Sequence, residues 1–182
     1  MAVKGATVDK DVNGPMVQAH PSGENLTLTG TVEEVLKELR TVNPDYGQEF
    51  GITALTSTEA IDAAIESAVT QADDTFKDTP VNCAGYDDAD RKRHAQGAHY
   101  LLDIKGKPTL GPGPGSCDRV SSSWNSAIHW CNMQGKDPNS FKEISDGAYY
   151  VIEKCYRGVG TLVSSRALHK DNWTVVARWD RC

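Results

Sequence analysis

Five cysteines and five histidines are the residues of this chain whose chemistry needs explaining first. The densest group is the run from Cys117 to Cys131, CDRVSSSWNSAIHWC, with a cysteine at each end and Trp124 and Trp130 inside. His129 stands two residues before Cys131, so in a strand both side chains point to one face. An exposed Cys/His pair can act as a nucleophile and its base. The competing reading is a disulfide-bonded Cys131 beside a satisfied strand histidine, and that is the expectation here. His169 and Asp171 are a second candidate acid/base pair, although loops before strands also carry His and Asp for turn geometry. His94 and His99 are spaced poorly for one helical face.

No CxxC or HxxxH-type cluster occurs, so a structural zinc site is not expected. Residues 111–115 do not make a phosphate loop. The Lys-Ser/Thr of that motif is missing and prolines remove backbone donors. No metal and no cofactor is therefore expected. Disulfides are the better use of Cys83, Cys117, Cys131, Cys155 and Cys182, and they place the protein outside the cytosol. The count is odd, so one thiol is free, intermolecular or orphaned by loss of a partner. Four cysteines already allow three pairings.

Two sequons, Asn25-Leu-Thr27 and Asn172-Trp-Thr174, agree with secretion. The start, MAVKGATVDKDVNGP, has no apolar h-region, so a secreted form is expected to have had its leader trimmed. No apolar run is long enough for a membrane-spanning helix.

The elements that must position these residues divide the chain in two. Residues 1–80 carry 5 Lys/Arg against 14 Asp/Glu, and residues 81–182 carry 14 against 11. All cysteines and tryptophans lie in the second part. The expectation is a cross-linked domain over 81–182 and an acidic segment over 1–80, either a pro-region or an extension that docks on the domain. Residues 1–24 read as an arm or extended strand, and Asn25 to Thr29 as a short strand. Thr31 to Arg40 reads as a helix with Val32, Val35, Leu36 and Leu39 on one face. Asn43 to Gly51 reads as a loop. Ser57 to Asp73 reads as an alanine-rich helix, with Thr56 and Glu59 as its capping box. Asp73 to Pro80 reads as a linker.

Beyond it, Val81 to Ala84 is a strand candidate and Ala89 to Ile104 a helix capped by Asp87 or Asp88. That helix opens on Arg91, Lys92 and Arg93, which oppose its dipole. They are a solvated face or a contact for the acidic segment or an anionic partner. Lys92-Arg93 also resembles a dibasic processing site, but cleavage there would discard Cys83. Alternation around Trp124–Asn125 predicts a hairpin, with Ala127, His129 and Cys131 on one face and Ile128 and Trp130 on the other. A helix begins near Ser140 and runs through Cys155, with Gly158 and Gly160 ending it. Thr161 to Ser164 and Trp173 to Trp179 close the chain as strands. Trp130 and Trp173 are expected in the core; Trp124, in a turn, is the candidate for an exposed contact.

The order strand, helix, hairpin, helix, two strands resembles the small cysteine-rich secreted proteins of fungi, and its layout is similar to the killer toxin KP4 group. The resemblance rests on Asn82-Cys83, Cys117, Trp130-Cys131-Asn132, Cys155 and the HKDNWTVVARWDRC ending, over the last hundred residues. It implies an α+β fold: a two-layer α/β sandwich, an antiparallel sheet with two helices on one face, here with an N-terminal helical segment added. It also implies a secreted antifungal toxin or plant effector. In that pattern a further cysteine is expected within Val120 to Ser123; Ser122 stands there, which accounts for the odd count. The acidic segment has no counterpart in it.

Three functions follow as expectations. The first is a monomeric toxin-like or effector-like protein that binds a host or competitor surface without catalysis, using Trp124 and Arg91, Lys92 and Arg93. The second is a small secreted hydrolase or cell-wall-active enzyme using His129 or His169 with Asp171. The third is a carbohydrate-binding module that takes cell-wall glycan on Trp124. Nucleic-acid binding is disfavoured by the acidic isoelectric point, near 5.3.

Overall fold

A computed structural model describes residues 16–23, 25–109, 115–133, 137–156, 158 and 161–182. Residues 1–15 of the arm or extended strand expected over 1–24, most of the glycine/proline string (111–114) and Gly160 lie outside the described residues.

The described chain is mixed α+β, with five helices and antiparallel sheets. Helix α1, Val32–Val42, buries the expected stripe of Val32, Val35, Leu36 and Leu39. At its start the Thr31 backbone N–H donates to the Glu34 carboxylate at 2.8 Å, one half of a capping box. A short α2, Tyr46–Glu49, stands where a loop was expected. Its Tyr46 is fully buried, and the phenol donates to the Asp103 carbonyl at 2.9 Å. One aromatic anchored on a distant element orders the stretch, and no local pattern signals that.

Helix α3 spans Thr58–Phe76. Its N-cap is Ser57, whose hydroxyl accepts the Ala60 N–H at 3.1 Å, in place of the expected Thr56. The run from Asp73 is therefore helical up to Phe76 rather than a linker. Phe76 is fully buried, its ring edge-on to Trp173 with centroids 5.7 Å apart and stacked near Tyr150 at 5.8 Å. A single apolar residue in a polar run gives no periodicity, so this anchor was invisible locally.

Helix α4, Arg91–Asp103, is capped by Asp90, whose carboxylate accepts the Arg93 N–H at 3.0 Å. Asp87 and Asp88 do not cap it. The acidic cap offsets part of the cost of a basic first turn. Helix α5, Phe141–Lys154, follows Ser140 and stops before Cys155, short of Gly158.

Strands β1 (Met16–Gln18) and β2 (Asn25–Thr27) join β5 (Gly106–Lys107) in a small sheet ordered β2-β1-β5. Strands β4 (Ala89–Asp90) and β8 (Leu162–Val163) pair separately. The main sheet is built from β3 (Val81–Asn82), β6 (Ser116–Ser123), β7 (Ser126–Asn132), β9 (Ser165–Leu168) and β10 (Trp173–Trp179). Its order is β3-β9-β10-β7-β6, antiparallel throughout. The strand expected at Thr161 to Ser164 is the shorter β8, which pairs with β4 outside the main sheet, and β9 is an addition. Its sequence, SRAL, is weak in β-formers; pairing with β10 on one side and β3 on the other makes it a strand.

Helix α4 packs on β6 and β7, α5 on β9 and β10, and α3 on α5 and α4. Inward positions of the sheet, Ile128, Trp130, Ala167, Trp173, Val175 and Ala177, join the helices in one core. That core also contains Val17, Leu28, Leu39 and Ile65 from before residue 80. A bulge between Arg119 and Ser121 turns both Val120 and Ser121 inward. There the Ser121 hydroxyl donates to the Glu33 carboxylate at 2.7 Å, and the Ser122 N–H donates to the same carboxylate at 3.2 Å.

Candidate binding surface

Strands β6 and β7 are joined by two residues, with Ser123 paired to Ser126. Trp124 has φ 52° and Asn125 φ 57°. Two successive left-handed residues form a turn whose twist matches a tight hairpin. Asn tolerates that backbone well, but a bulky aromatic pays roughly 1 kcal/mol or more for it. Trp124 is nevertheless 74% exposed. Its neighbour is Arg93, whose guanidinium lies 4.8 Å from the ring centroid. The Asn125 carbonyl accepts the Asp180 N–H at 3.2 Å, so the C-terminal tail braces the turn from behind.

Covalent bonds hold this hairpin. Cys117 and Cys131 are direct cross-strand partners on β6 and β7 and are disulfide-bonded. A second disulfide, Cys83–Cys155, ties the chain after β3 to the end of α5 across 72 residues. Both point to an oxidising environment. Cys182 is the odd cysteine: it is free and exposed, not part of a disulfide.

The three basic residues of α4 separate. Arg93 lies over Trp124 and donates to the Gln96 side-chain Oε1 at 2.9 Å. Arg91 pairs with Glu153 at 3.2 Å and lies over the Tyr156 ring at 4.3 Å. Lys92 pairs with Asp62 of α3 at 3.1 Å. Arg91 and Lys92 line a polar cavity of about 380 Å³ together with Asp62, Glu66, Tyr156 and Thr161. Its two cations already face carboxylates within the protein.

The histidine candidates are also accounted for. Cys131 has no thiol to offer His129, since its sulfur is in the disulfide. His129 contacts the Asp180 carboxylate at 3.1 Å. Burial, with Arg178 nearby, holds its pKa below the usual imidazole value. His169 is buried, stacked on Trp173 with centroids 4.3 Å apart. Its Nδ1 accepts the Asp171 backbone N–H at 3.2 Å, and the Asp171 carboxylate stands 3.8 Å away. The pair shapes the turn before β10 from inside the protein. His94 is buried on α4, with Nε2 3.2 Å from the Arg178 carbonyl, while His99 contacts the Thr53 carbonyl at 2.8 Å. Among the described residues no group of His, Cys, Asp and Glu could hold a metal ion.

One feature of the sheet has no local signal in the sequence. The outward row of the main sheet runs Arg166, Val176, His129, Arg119 on successive strands β9, β10, β7 and β6. Arg178 stands two residues further along β10. Alternation in β10 already put Thr174, Val176 and Arg178 on one face. That Arg166 and Arg119 share it depends on register between distant strands.

No helix among the described residues is long and apolar enough to cross a membrane. No family model, curated protein or solved structure matches the chain.

Proposed function

We propose that this is a secreted toxin-like or effector-like protein that acts by binding a host or competitor surface, without catalysis, from a two-layer α/β body of KP4 layout. The observation that carries the reading is Trp124. A large aromatic is kept in a left-handed turn and left open to solvent, where a core role is ruled out. Strain at an exposed residue is stored where recognition uses it. The disulfide across β6 and β7 and the brace from Asp180 hold the turn ready, which lowers the ordering cost of binding. Arg93 adds a charge to the aromatic face. In this reading residues 1–80 are a permanent half of the fold rather than a removable pro-region.

Labelled protein added to intact fungal and plant cells tests this. Trp124→Ala and Arg93→Ala are expected to lose about tenfold or more in cell association, as for a central aromatic or arginine contact. Unchanged association of both variants, with native circular dichroism, overturns the reading. A glycan-binding role is the second reading, favoured by the same open indole ring, and co-sedimentation with insoluble cell-wall polysaccharide separates the two.

A further inference from the structure

We infer that the outward face of the main sheet docks on an anionic lipid bilayer; this rests on the reading that the protein works by surface contact. The register puts Arg166, Arg178 and Arg119 on that face, with His129 between them. No outward-pointing position on any of the five strands is an Asp or Glu. Asp180 lies past the end of β10 and is shared by His129 at 3.1 Å and Arg178 at 3.2 Å, while Asp118, on the opposite face of β6, accepts the Arg119 backbone N–H at 2.8 Å. The chain as a whole has a formal charge of −6. A basic face on an acidic protein orients it towards negative surfaces.

Charge alone would equally suit a linear polyanion. Two observations favour a bilayer. The row from Arg166 to Arg119 crosses four strands, on the order of 15 Å at the usual strand spacing, and Arg178 stands two residues off it along β10, so the charges cover an area rather than a single line. At one end of that plane is a pocket of about 240 Å³ lined by Pro80, Val81, Met133, Leu168 and Thr174, with Arg166 and Asn82 at its polar side. Met133 is 45% exposed there. An apolar recess beside an arginine suits a phosphodiester headgroup and its glycerol, with the guanidinium on the phosphate.

The test is sedimentation of the full, oxidised chain with vesicles of phosphatidylcholine, alone or mixed with phosphatidylserine. Binding is expected only to the mixed vesicles and is expected to weaken as salt rises. Arg119→Gln, Arg166→Gln and Arg178→Gln should each lower partitioning roughly fivefold, in line with the worth of one basic residue near an anionic surface. Arg166→Lys, which keeps the charge, should retain most of it, and Met133→Ser should weaken it. Absent binding, equal binding to neutral vesicles, or Gln variants that bind like the native chain would overturn the bilayer. So would binding to soluble polyuronate but not to vesicles. If vesicles fail while cell association still depends on Trp124, the contact reading stands and the lipid assignment alone falls.

Discussion

The Ser122 hydroxyl and the Cys182 thiol are in direct contact, 60 residues apart in the chain. Ser122 falls within Val120 to Ser123, where a KP4-like layout would imply a further cysteine, and Cys182 is the cysteine outside the two disulfides. The Cys182 N–H also donates weakly to the Asn125 side chain at 3.4 Å, which holds the terminus over the hairpin.

Ser122→Cys is therefore expected to close a third disulfide with Cys182. Free thiols under denaturing, non-reducing conditions should fall from one to none. A loop of that length is worth about 4 kcal/mol in the chain-entropy account, read as a higher denaturation midpoint that vanishes on reduction. Two free thiols in the oxidised variant would show that the side chains do not meet in solution.

Gly147→Ala probes the middle of the helical layer. A Cβ there would lie 2.6 Å from the Phe76 ring and 2.7 Å from a Val175 methyl. Alanine should gain nearly 1 kcal/mol from helix propensity, but the overlap involves packed groups from α3 and β10. Overpacking of this kind costs about 1–3 kcal/mol, so net destabilisation in urea unfolding is expected. A more stable variant would mean that α3 and β10 are looser than described.

Phe76 is one of the anchors that join residues 1–80 to the rest. Phe76→Ala should cost about 3–5 kcal/mol, the usual loss for a buried aromatic. Nicking of the native protein near Lys77 should leave the two pieces associated in size-exclusion chromatography without denaturant. Clean separation into a folded 81–182 body would instead make the N-terminal segment removable.

Two buried groups oppose each other in acid. Burial first, against the Arg178 carbonyl contact, lowers the His94 pKa from 6.5 to about 4. The unfolded chain then takes the proton more readily. The His94 contribution is complete above pH 6.5 and is lost as pH falls towards 4, about 3 kcal/mol in all. Burial also raises Asp103 from 3.8 to about 6, with His99 and Lys105 pulling the other way. There the folded chain holds the proton more tightly, so stability rises as pH falls from 6 towards 3.8. Between pH 4 and 6 the two slopes have opposite signs. Asp103→Asn should expose the histidine loss on acidification, and His94→Gln should leave stability rising. Parallel unfolding-versus-pH curves for both variants would refute the assignment.

Where residues act through their neighbours in the chain, the sequence was legible. The stripe of α1, the hairpin about Trp124–Asn125, the two faces of β7 and of β10, the core places of Trp130 and Trp173 and the exposure of Trp124 all follow from periods of 3.6 or 2 and from turn chemistry. These are local rules, and they operate in the unfolded chain as well as the folded one.

Tertiary structure alone decided the rest, because those features join residues whose separation carries no period. Which cysteines pair depended on strand register and on where α5 ends. Phe76 and Tyr46 became anchors only because Trp173, Tyr150 and Asp103 stand opposite them. The arginine face exists because β9, β10, β7 and β6 align in one register; shifting β9, β10 or β6 by one residue would turn its arginine to the other side.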